Sequence, residues 1–209
     1  MFYHPQKPLG VHGTNLPHWQ QDSSLVFMTW RLADSVPATA LRAYKIKKDN
    51  WLLRHPKPWS PEIELEFHKT FSAELENWLD QGHGGCILRR REAAQIVADA
   101  LMHFDGDYYE IDGWVIMPNH VHILVQLIPS HPLEKVVHSW KSFTGLQLNK
   151  LYNTTGKVWQ TRYYDTLVRS EKHHWKIRRY IEQNPTKAKL TEGEFLLHTP
   201  WLSKHGDQP

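Results

Sequence analysis

Two strand patterns separated by a two-residue turn limit the fold of this chain more than any other feature of its sequence. Residues 108–117 and 120–128 both carry strand patterns, and Pro118-Asn119 stands between them. Proline and asparagine are strong turn formers, so this arrangement predicts a β-hairpin. A hairpin near the middle of the chain places an antiparallel sheet in the fold.

Further strand and helix patterns lie on both sides of this hairpin. Residues 24–33 predict a first strand, and residues 157–169 predict a fourth. Helices are predicted at residues 39–48, 60–79, 91–104, 132–151 and 171–184. Ser170 is the predicted N-cap of the last helix, and Pro185 is its predicted end, because the residue before a proline is displaced from the α region. This order predicts an α+β fold: a ferredoxin-like antiparallel sheet with helices packed on one side of it, plus a helical insertion at about residues 38–104.

The length of 209 residues favours one domain rather than two. Residues 1–23 carry three prolines and two glycines with little periodicity, which predicts an extended arm. We therefore expect a single domain at residues 24–190 and a C-terminal tail at residues 191–209.

Composition excludes several classes of protein. The chain is 40% hydrophobic and 22% charged, which is the ordinary globular mixture. Its longest apolar runs are far shorter than the roughly 18 residues of a membrane-spanning helix, and the first ten residues contain no apolar segment typical of a secretory signal. The single cysteine, Cys86, excludes an internal disulfide framework and a multi-cysteine zinc site. We expect a cytoplasmic protein without a membrane partner.

Positive charge is concentrated near the C-terminus. Residues 157–189 carry nine Lys or Arg and three Asp or Glu, so this stretch has a charge of +6, whereas the whole chain has +3 and the remainder −3. Such asymmetry is typical of a surface that faces a polyanion. Six of these side chains are the candidate DNA-binding residues: Arg162, Arg169, Lys172, Lys176, Arg178 and Arg179.

A pair of histidines follows the predicted turn directly. Side chains alternate between the two faces of a strand, so His120 and His122 are predicted on one face and Val121 on the other. Two neutral imidazoles on one face can chelate a divalent metal ion. The alternative is that they are ordinary polar residues on an exposed face of the sheet.

Tyr180 and Asn184 form a second candidate pair. They are four residues apart in the last predicted helix and therefore lie on the same helix face. A tyrosine hydroxyl can act as a nucleophile, and an asparagine carbonyl can bind a metal ion. The alternative is that Tyr180 packs with Ile177 and Ile181 in an apolar stripe.

The order of these motifs resembles a known family. Residues 114–125, WVIMPNHVHILV, strongly resemble the metal-binding strand of the single-tyrosine HUH transposases, also called IS200-like transposases. Residues 158–165, VWQTRYYD, and residues 179–188, RYIEQNPTKA, resemble later segments of the same family. Residues 16–19, LPHW, look like the branch of REP-associated tyrosine transposases, which the chain resembles most. The resemblance covers about residues 14–36 and 107–190, whereas residues 38–104 correspond to a more variable helical region.

The resemblance implies a role for each motif residue. His120 and His122 would be the two metal-binding histidines, Asn184 would complete the site for Mg²⁺ or Mn²⁺, and Tyr180 would be the catalytic tyrosine. The family cuts single-stranded DNA near hairpins, so the resemblance implies a transposase-type endonuclease that forms a 5′-phosphotyrosine link and acts on REP-like hairpins. The family includes monomers and dimers that share sites between chains, which leaves a homodimer open.

Other functions remain open at this point. A non-catalytic regulator that binds DNA or RNA hairpins would keep the basic stretch but would need neither the histidine pair nor Tyr180. A metal-dependent hydrolase that uses water as its nucleophile would need the histidines but not the tyrosine. A purely structural interaction protein would need neither the histidine pair nor the basic stretch.

Overall fold

A computed structural model describes residues 2–4, 6, 10–12, 18–21, 23–56, 59–128 and 131–203 of the chain. Within these residues the strands are β1 (Gly10–His12), β2 (His18–Gln20), β3 (Leu25–Arg31), β4 (Tyr109–Ile116), β5 (His120–Leu127), β6 (Tyr164–Leu167) and β7 (Leu196–His198). The helices are α1 (Ala38–Arg54), α2 (Pro61–Phe67), α3 (Ala73–Asp80), α4 (Arg91–Met102), α5 (Leu133–Tyr152), α6 (Glu171–Lys187) and α7 (Pro200–Ser203). A π-helical turn, His68–Ser72, joins α2 to α3, and a 3-10 turn, Ile87–Arg89, precedes α4.

Five strands form one antiparallel sheet in the order β6-β3-β5-β4-β7. The hairpin of β4 and β5 is confirmed, with Ile116 opposite Val121 next to the turn. Without β7, the strand order and the connecting helices α4 and α5 are those of a ferredoxin-like fold. The predicted α+β class with a ferredoxin-like sheet is therefore confirmed.

Helices cover both faces of the sheet, which corrects the prediction that they pack on one side. One hydrophobic cluster joins α4 and α5 to residues such as Trp30, Val121 and Ile123. A second cluster joins α6 to Phe27 and Leu124 on the opposite face. Strand β5 is buried on both faces for this reason, so it lacks the alternation of a half-exposed strand.

The last helix runs past the proline that was predicted to end it. Helix α6 continues to Lys187 with Pro185 inside it, and the backbone N–H of Ala188 still donates to the carbonyl of Asn184. A proline in the last turn removes only its own donor, and the N–H groups that follow it keep their partners. Asn184 therefore stays on a regular helix, in register with Tyr180.

The predicted fourth strand is divided in two. Residues 158–160 bond to the end of β3, where the N–H of Gln160 donates to the carbonyl of Arg31 at 2.9 Å, and β6 begins only at Tyr164. Both parts pair with the same strand, which explains why residues 157–169 show one continuous pattern. The break leaves residues 161–163 outside the sheet.

Both ends of the chain contain more structure than the sequence predicted. Within the predicted N-terminal arm, β1 and β2 pair as a small antiparallel sheet. Beyond residue 190, β7 adds a fifth strand beside β4, and Trp201 of α7 packs into the second hydrophobic cluster. Strands of three residues are too short to show a period-two pattern, which is why they were missed.

The insertion is helical, as predicted, but α1 extends to Arg54 rather than stopping near residue 48.

Among the described residues, no helix is both long enough and apolar enough to cross a membrane.

Candidate active site

Both histidines of the HVH motif lie in the middle of the sheet on one face. His120 is opposite Arg31 of the neighbouring β3, and His122 is opposite Thr29. Directly opposed residues of an antiparallel pair share a face, so these four side chains leave the sheet on the same side. Each histidine is 1% exposed. The predicted common face is confirmed, and the alternative of an exposed polar face is wrong.

His122 is the centre of the cluster. Its Nδ1 atom lies 2.7 Å from the Thr29 hydroxyl oxygen, and its Nε2 atom lies 3.3 Å from the Tyr180 hydroxyl and 3.4 Å from the Asn184 amide nitrogen. A hydroxyl and an amide that donate to Nε2 require a lone pair on that atom, so the ring proton sits on Nδ1 and is donated to Thr29. Phe27 stacks on the imidazole with 5.6 Å between ring centroids. Thr29 therefore holds His122 in the tautomer that a metal ion requires.

His120 is held by its neighbour in the turn. The Asn119 amide nitrogen donates to the carbonyls of Leu79 and His83, both at 3.2 Å, which fixes the orientation of the amide. Its Oδ1 atom then lies 2.7 Å from Nδ1 of His120 and accepts the ring proton. The Nε2 lone pair of His120 is left for a ligand. Asn119 was predicted only as a turn former, although its position directly before the first histidine was a signal for this contact.

Helix α6 brings Tyr180 and Asn184 to the histidines. The two rings of His122 and Tyr180 meet edge to face at 5.1 Å, and Phe27 contacts Tyr180 in the same way at 5.7 Å. Tyr180 therefore packs in an apolar setting and still directs its hydroxyl to His122. All four predicted residues of the candidate centre meet within one chain.

Burial keeps both histidines neutral. It lowers the pKa of His120 to about 3, and Lys187 adds to the effect. Burial also holds the pKa of His122 well below its ordinary value, with further contributions from His120 and Lys187. Neutral imidazoles offer their lone pairs at neutral pH, which is the state that binds a metal ion.

The helical insertion supplies acidic neighbours that sequence reasoning missed. Burial raises the pKa of Tyr180 well above its usual value, and the charges of Glu76 and Asp80 on α3 raise it further. The Glu76 carboxyl is hydrogen-bonded to Tyr180, and burial raises its own pKa. Asp80 pairs with Lys187 at 2.9 Å, which fixes α3 beside the end of α6. The spacing of Glu76 and Asp80, four residues apart on one helix face, was the only signal in the sequence.

The donor set fits a divalent metal ion. Two imidazole nitrogens and the Asn184 carbonyl oxygen suit Mn²⁺ well and Mg²⁺ less well. Asn184 is 1% exposed, and its Oδ1 atom is buried without a hydrogen-bond partner among the described residues. A buried carbonyl oxygen without a partner is costly unless a ligand satisfies it. No group of three or more His, Cys, Asp or Glu able to hold a metal occurs in the described part of the chain, so a site here depends on the asparagine.

The basic residues divide between two regions. Lys172, Lys176 and Arg179 lie exposed on α6, and Arg169 lies exposed just before it. Arg162 lies instead in a groove of about 700 Å³ between α5 and residues 156–163, on the α5 side of the sheet. The predicted basic stretch is therefore not one continuous surface.

Arg178 is engaged within the protein. Its Nε atom donates to Asp112 at 2.8 Å, its Nη2 atom bonds the other carboxylate oxygen, and His174 contacts the same carboxylate at 2.8 Å. Asp112 lies at an irregularity of β4 between Ile111 and Gly113, where the register shifts. This ionic cluster attaches α6 to the sheet two residues before Tyr180, so Arg178 has a structural role whether or not it meets DNA.

The basic groove also contains a perturbed lysine. Burial lowers the pKa of Lys141 to about 8, and the charge of Lys157 contributes. The Lys141 ammonium donates to the carbonyl of Thr161 at 2.8 Å. The groove therefore concentrates positive charge on the face opposite the histidines.

A family model covers the segment that carries these residues. Residues 90–184 match the model described as "Transposase IS200 like". The segment contains His120, His122, Tyr180 and Asn184, and the match confirms the resemblance predicted from the sequence. The chain is thus similar to the IS200-like transposases over the segment that holds the candidate site.

Two solved structures are similar to the chain. One is a REP-associated tyrosine transposase bound to a REP hairpin, with 15% identity, a TM-score of 0.48, and coverage of 86% of this chain and 77% of that chain. The other is a putative transposase from Deinococcus radiodurans R1, with 16% identity, a TM-score of 0.37, and coverage of 77% and 89%. No curated protein matches the sequence.

Proposed function

We propose that this chain is a metal-dependent endonuclease and strand transferase that cuts single-stranded DNA near REP-like hairpins. The observation that carries the proposal is the 3.3 Å approach of the Tyr180 hydroxyl to Nε2 of His122, with Asn184 at the same atom. A nucleophile beside a set of metal ligands is the arrangement that phosphodiester cleavage through a covalent intermediate requires.

His120, His122 and Asn184 would hold Mg²⁺ or Mn²⁺. When bound there, the ion would neutralise charge on a phosphate and polarise the phosphorus atom. Thr29 and Asn119 contribute indirectly by keeping both imidazoles in the binding tautomer.

Tyr180 is the proposed nucleophile. The Tyr180 hydroxyl gives its proton to water and its oxygen attacks the phosphorus. The bond to the 3′-oxygen breaks, and that oxygen takes a proton from water to become a free 3′-hydroxyl. The DNA is left attached to Tyr180 through its 5′-phosphate, and the same or another 3′-hydroxyl can reverse the attack. Burial and the charges of Glu76 and Asp80 keep Tyr180 protonated in the free protein, so its proton must leave before or during the attack.

Positive side chains near Tyr180 suit a DNA strand. Lys176 and Arg179 are exposed on the same helix, and contacts of this kind to phosphates depend on salt. The hairpin partner, the single catalytic domain at residues 24–190, the cytoplasmic location and a homodimer stay predictions.

A covalent-adduct experiment tests the proposal. The protein is incubated with Mn²⁺ and a pool of labelled single-stranded oligonucleotides that contain hairpins, and SDS-stable products are mapped by mass spectrometry. We expect DNA on Tyr180, no adduct for Tyr180→Phe, and an unchanged adduct for the control Tyr108→Phe, whose side chain is 39% exposed.

Other results would favour the alternatives. Hairpin binding without any adduct indicates a non-catalytic regulator. Metal-dependent cleavage that survives Tyr180→Phe indicates a hydrolase that uses water. Cleavage that continues in EDTA removes the metal ion from the mechanism.

A further inference from the structure

An arginine side chain also lies on the histidine face of the sheet. Arg31 ends β3 directly opposite His120, so its side chain leaves the sheet beside that imidazole. Opposed residues of an antiparallel pair have Cβ atoms roughly 5 Å apart. The guanidinium thus starts at the edge of the candidate centre, on the side away from Tyr180.

Neutral groups hold Arg31 in place. Its Nη1 atom donates to the Ser35 hydroxyl at 3.0 Å and to the carbonyl of Leu32 at 3.5 Å. Among the described residues, the ionisable group that acts on its charge is the Tyr44 phenol, whose own pKa is raised to about 12 by burial and which is therefore uncharged. Among the described residues, no carboxylate pairs with Arg31.

A half-buried guanidinium without a counter-ion is costly. Buried charges in proteins are normally paired, because removing a charge from water without compensation is unfavourable. Burial lowers the pKa of Arg31, because it disfavours the charged form, yet arginine stays protonated at neutral pH. Arg178, in contrast, is paired with Asp112.

The unused donors match an anion. A guanidinium has five N–H donors in a planar fork, and the two contacts of Arg31 within the described part of the chain occupy only its Nη1 atom. The free edge can give two parallel hydrogen bonds to a phosphate, which is the geometry for which arginine is used.

We propose that Arg31 binds a non-bridging phosphate oxygen of the DNA strand beside His120. This inference rests on the proposed function, because it names a further contact of the same site with the same substrate. Its role is to bind and orient one phosphate, and no bond forms or breaks at the side chain.

The test measures binding without cleavage. All proteins carry Tyr180→Phe and are measured in EDTA. Fluorescence anisotropy gives their association constant K for an oligothymidylate of 12 nucleotides at several salt concentrations. The slope of log K against log salt is negative, and loss of one phosphate contact reduces its magnitude by about 0.7 for a single strand. We expect this drop, with roughly tenfold weaker binding at low salt, for Arg31→Gln. The matched control is Arg91→Gln, an exposed arginine of α4 on the other face of the sheet.

A stability measurement separates binding from a structural role. If Arg31 serves DNA, Arg31→Met removes an uncompensated charge and keeps or raises the melting temperature. If Arg31 serves the corner between β3 and α1, the same variant melts at a lower temperature and the salt slope of Arg31→Gln equals that of the Arg91→Gln control.

The inference is overturned by that second pattern, or by a parent protein that does not bind the oligonucleotide. The Arg31 contact and the cleavage chemistry are tested independently. If Arg31→Gln reduces the magnitude of the salt slope but no covalent adduct forms on Tyr180, the phosphate contact is supported and the proposed strand transfer is rejected.

Discussion

The hydroxyl of Thr29 lies 2.7 Å from Nδ1 of His122, on the side of the ring opposite Tyr180 and Asn184. Because the Asn184 amide nitrogen donates to Nε2, the ring proton sits on Nδ1, where the Thr29 hydroxyl accepts it, and the Nε2 lone pair faces the tyrosine. Partners of this kind set the orientation and basicity of metal-binding histidines.

Thr29→Val should therefore weaken metal binding without unfolding the protein. Valine has the shape of threonine but cannot accept the His122 proton, so we expect Mn²⁺ to bind about 10- to 100-fold more weakly by calorimetry. Thr29→Ser keeps the hydroxyl and should restore most of the affinity. Equal affinities for the valine and serine variants would contradict this role.

Asn184→Asp should lower the stability of the metal-free protein and raise its affinity for Mn²⁺. The new carboxylate would be buried beside two neutral imidazoles, so the metal-free variant should melt below the wild type. A negative ligand binds Mn²⁺ more strongly than an amide, so Mn²⁺ should raise its melting temperature by more than that of the wild type. The same Mn²⁺-induced shift in both proteins would argue that Asn184 is not a ligand.

Loss of the Asp112 carboxylate should loosen the helix that carries Tyr180. Asp112→Asn leaves Arg178 and His174 without their acidic partner in a largely buried position, and we expect a loss of about 3 kcal/mol in the free energy of unfolding. Urea denaturation measures it, and the exposed Asp107→Asn is the control. A loss no larger than that of the control would show that the ionic cluster does not anchor α6.

Acid should destabilise the metal-free protein through His120. Its pKa is about 3 in the folded protein and about 6.5 in the unfolded chain, so the unfolded state binds the proton more readily. The free energy of unfolding is therefore unaffected by His120 above pH 6.5 and decreases as the pH falls toward 3. At pH 5 the decrease is about 2 kcal/mol. Urea titrations at pH 7 and pH 5 should show a smaller difference for His120→Asn than for the wild type. Identical pH dependence of the two proteins would exclude this linkage.

Local pattern was sufficient for the elements that form the centre of the sheet. The period-two pattern and the Pro118-Asn119 turn predicted the hairpin, and the same period placed His120 and His122 on one face. The 3.6-residue period of a helix placed Tyr180 and Asn184 together. These properties depend on neighbours in sequence, so one sequence determines them.

The elements that sequence reasoning missed are those defined by distant partners. Strand β7 exists because it pairs with β4, and Pro185 stays inside α6 because its neighbours keep their hydrogen bonds. No local sequence pattern predicts either feature.

By itself, the sequence determined an antiparallel α+β core, a pair of histidines on one strand face, and a tyrosine and an asparagine on one helix face. Only the tertiary structure decided that α6 crosses the histidine face, that α3 adds acidic groups beside Tyr180, and that Arg31 has no acidic partner among the described residues. The physical reason is that distance, burial and charge pairing between elements depend on how the chain packs, whereas the face of an element depends only on its own repeat.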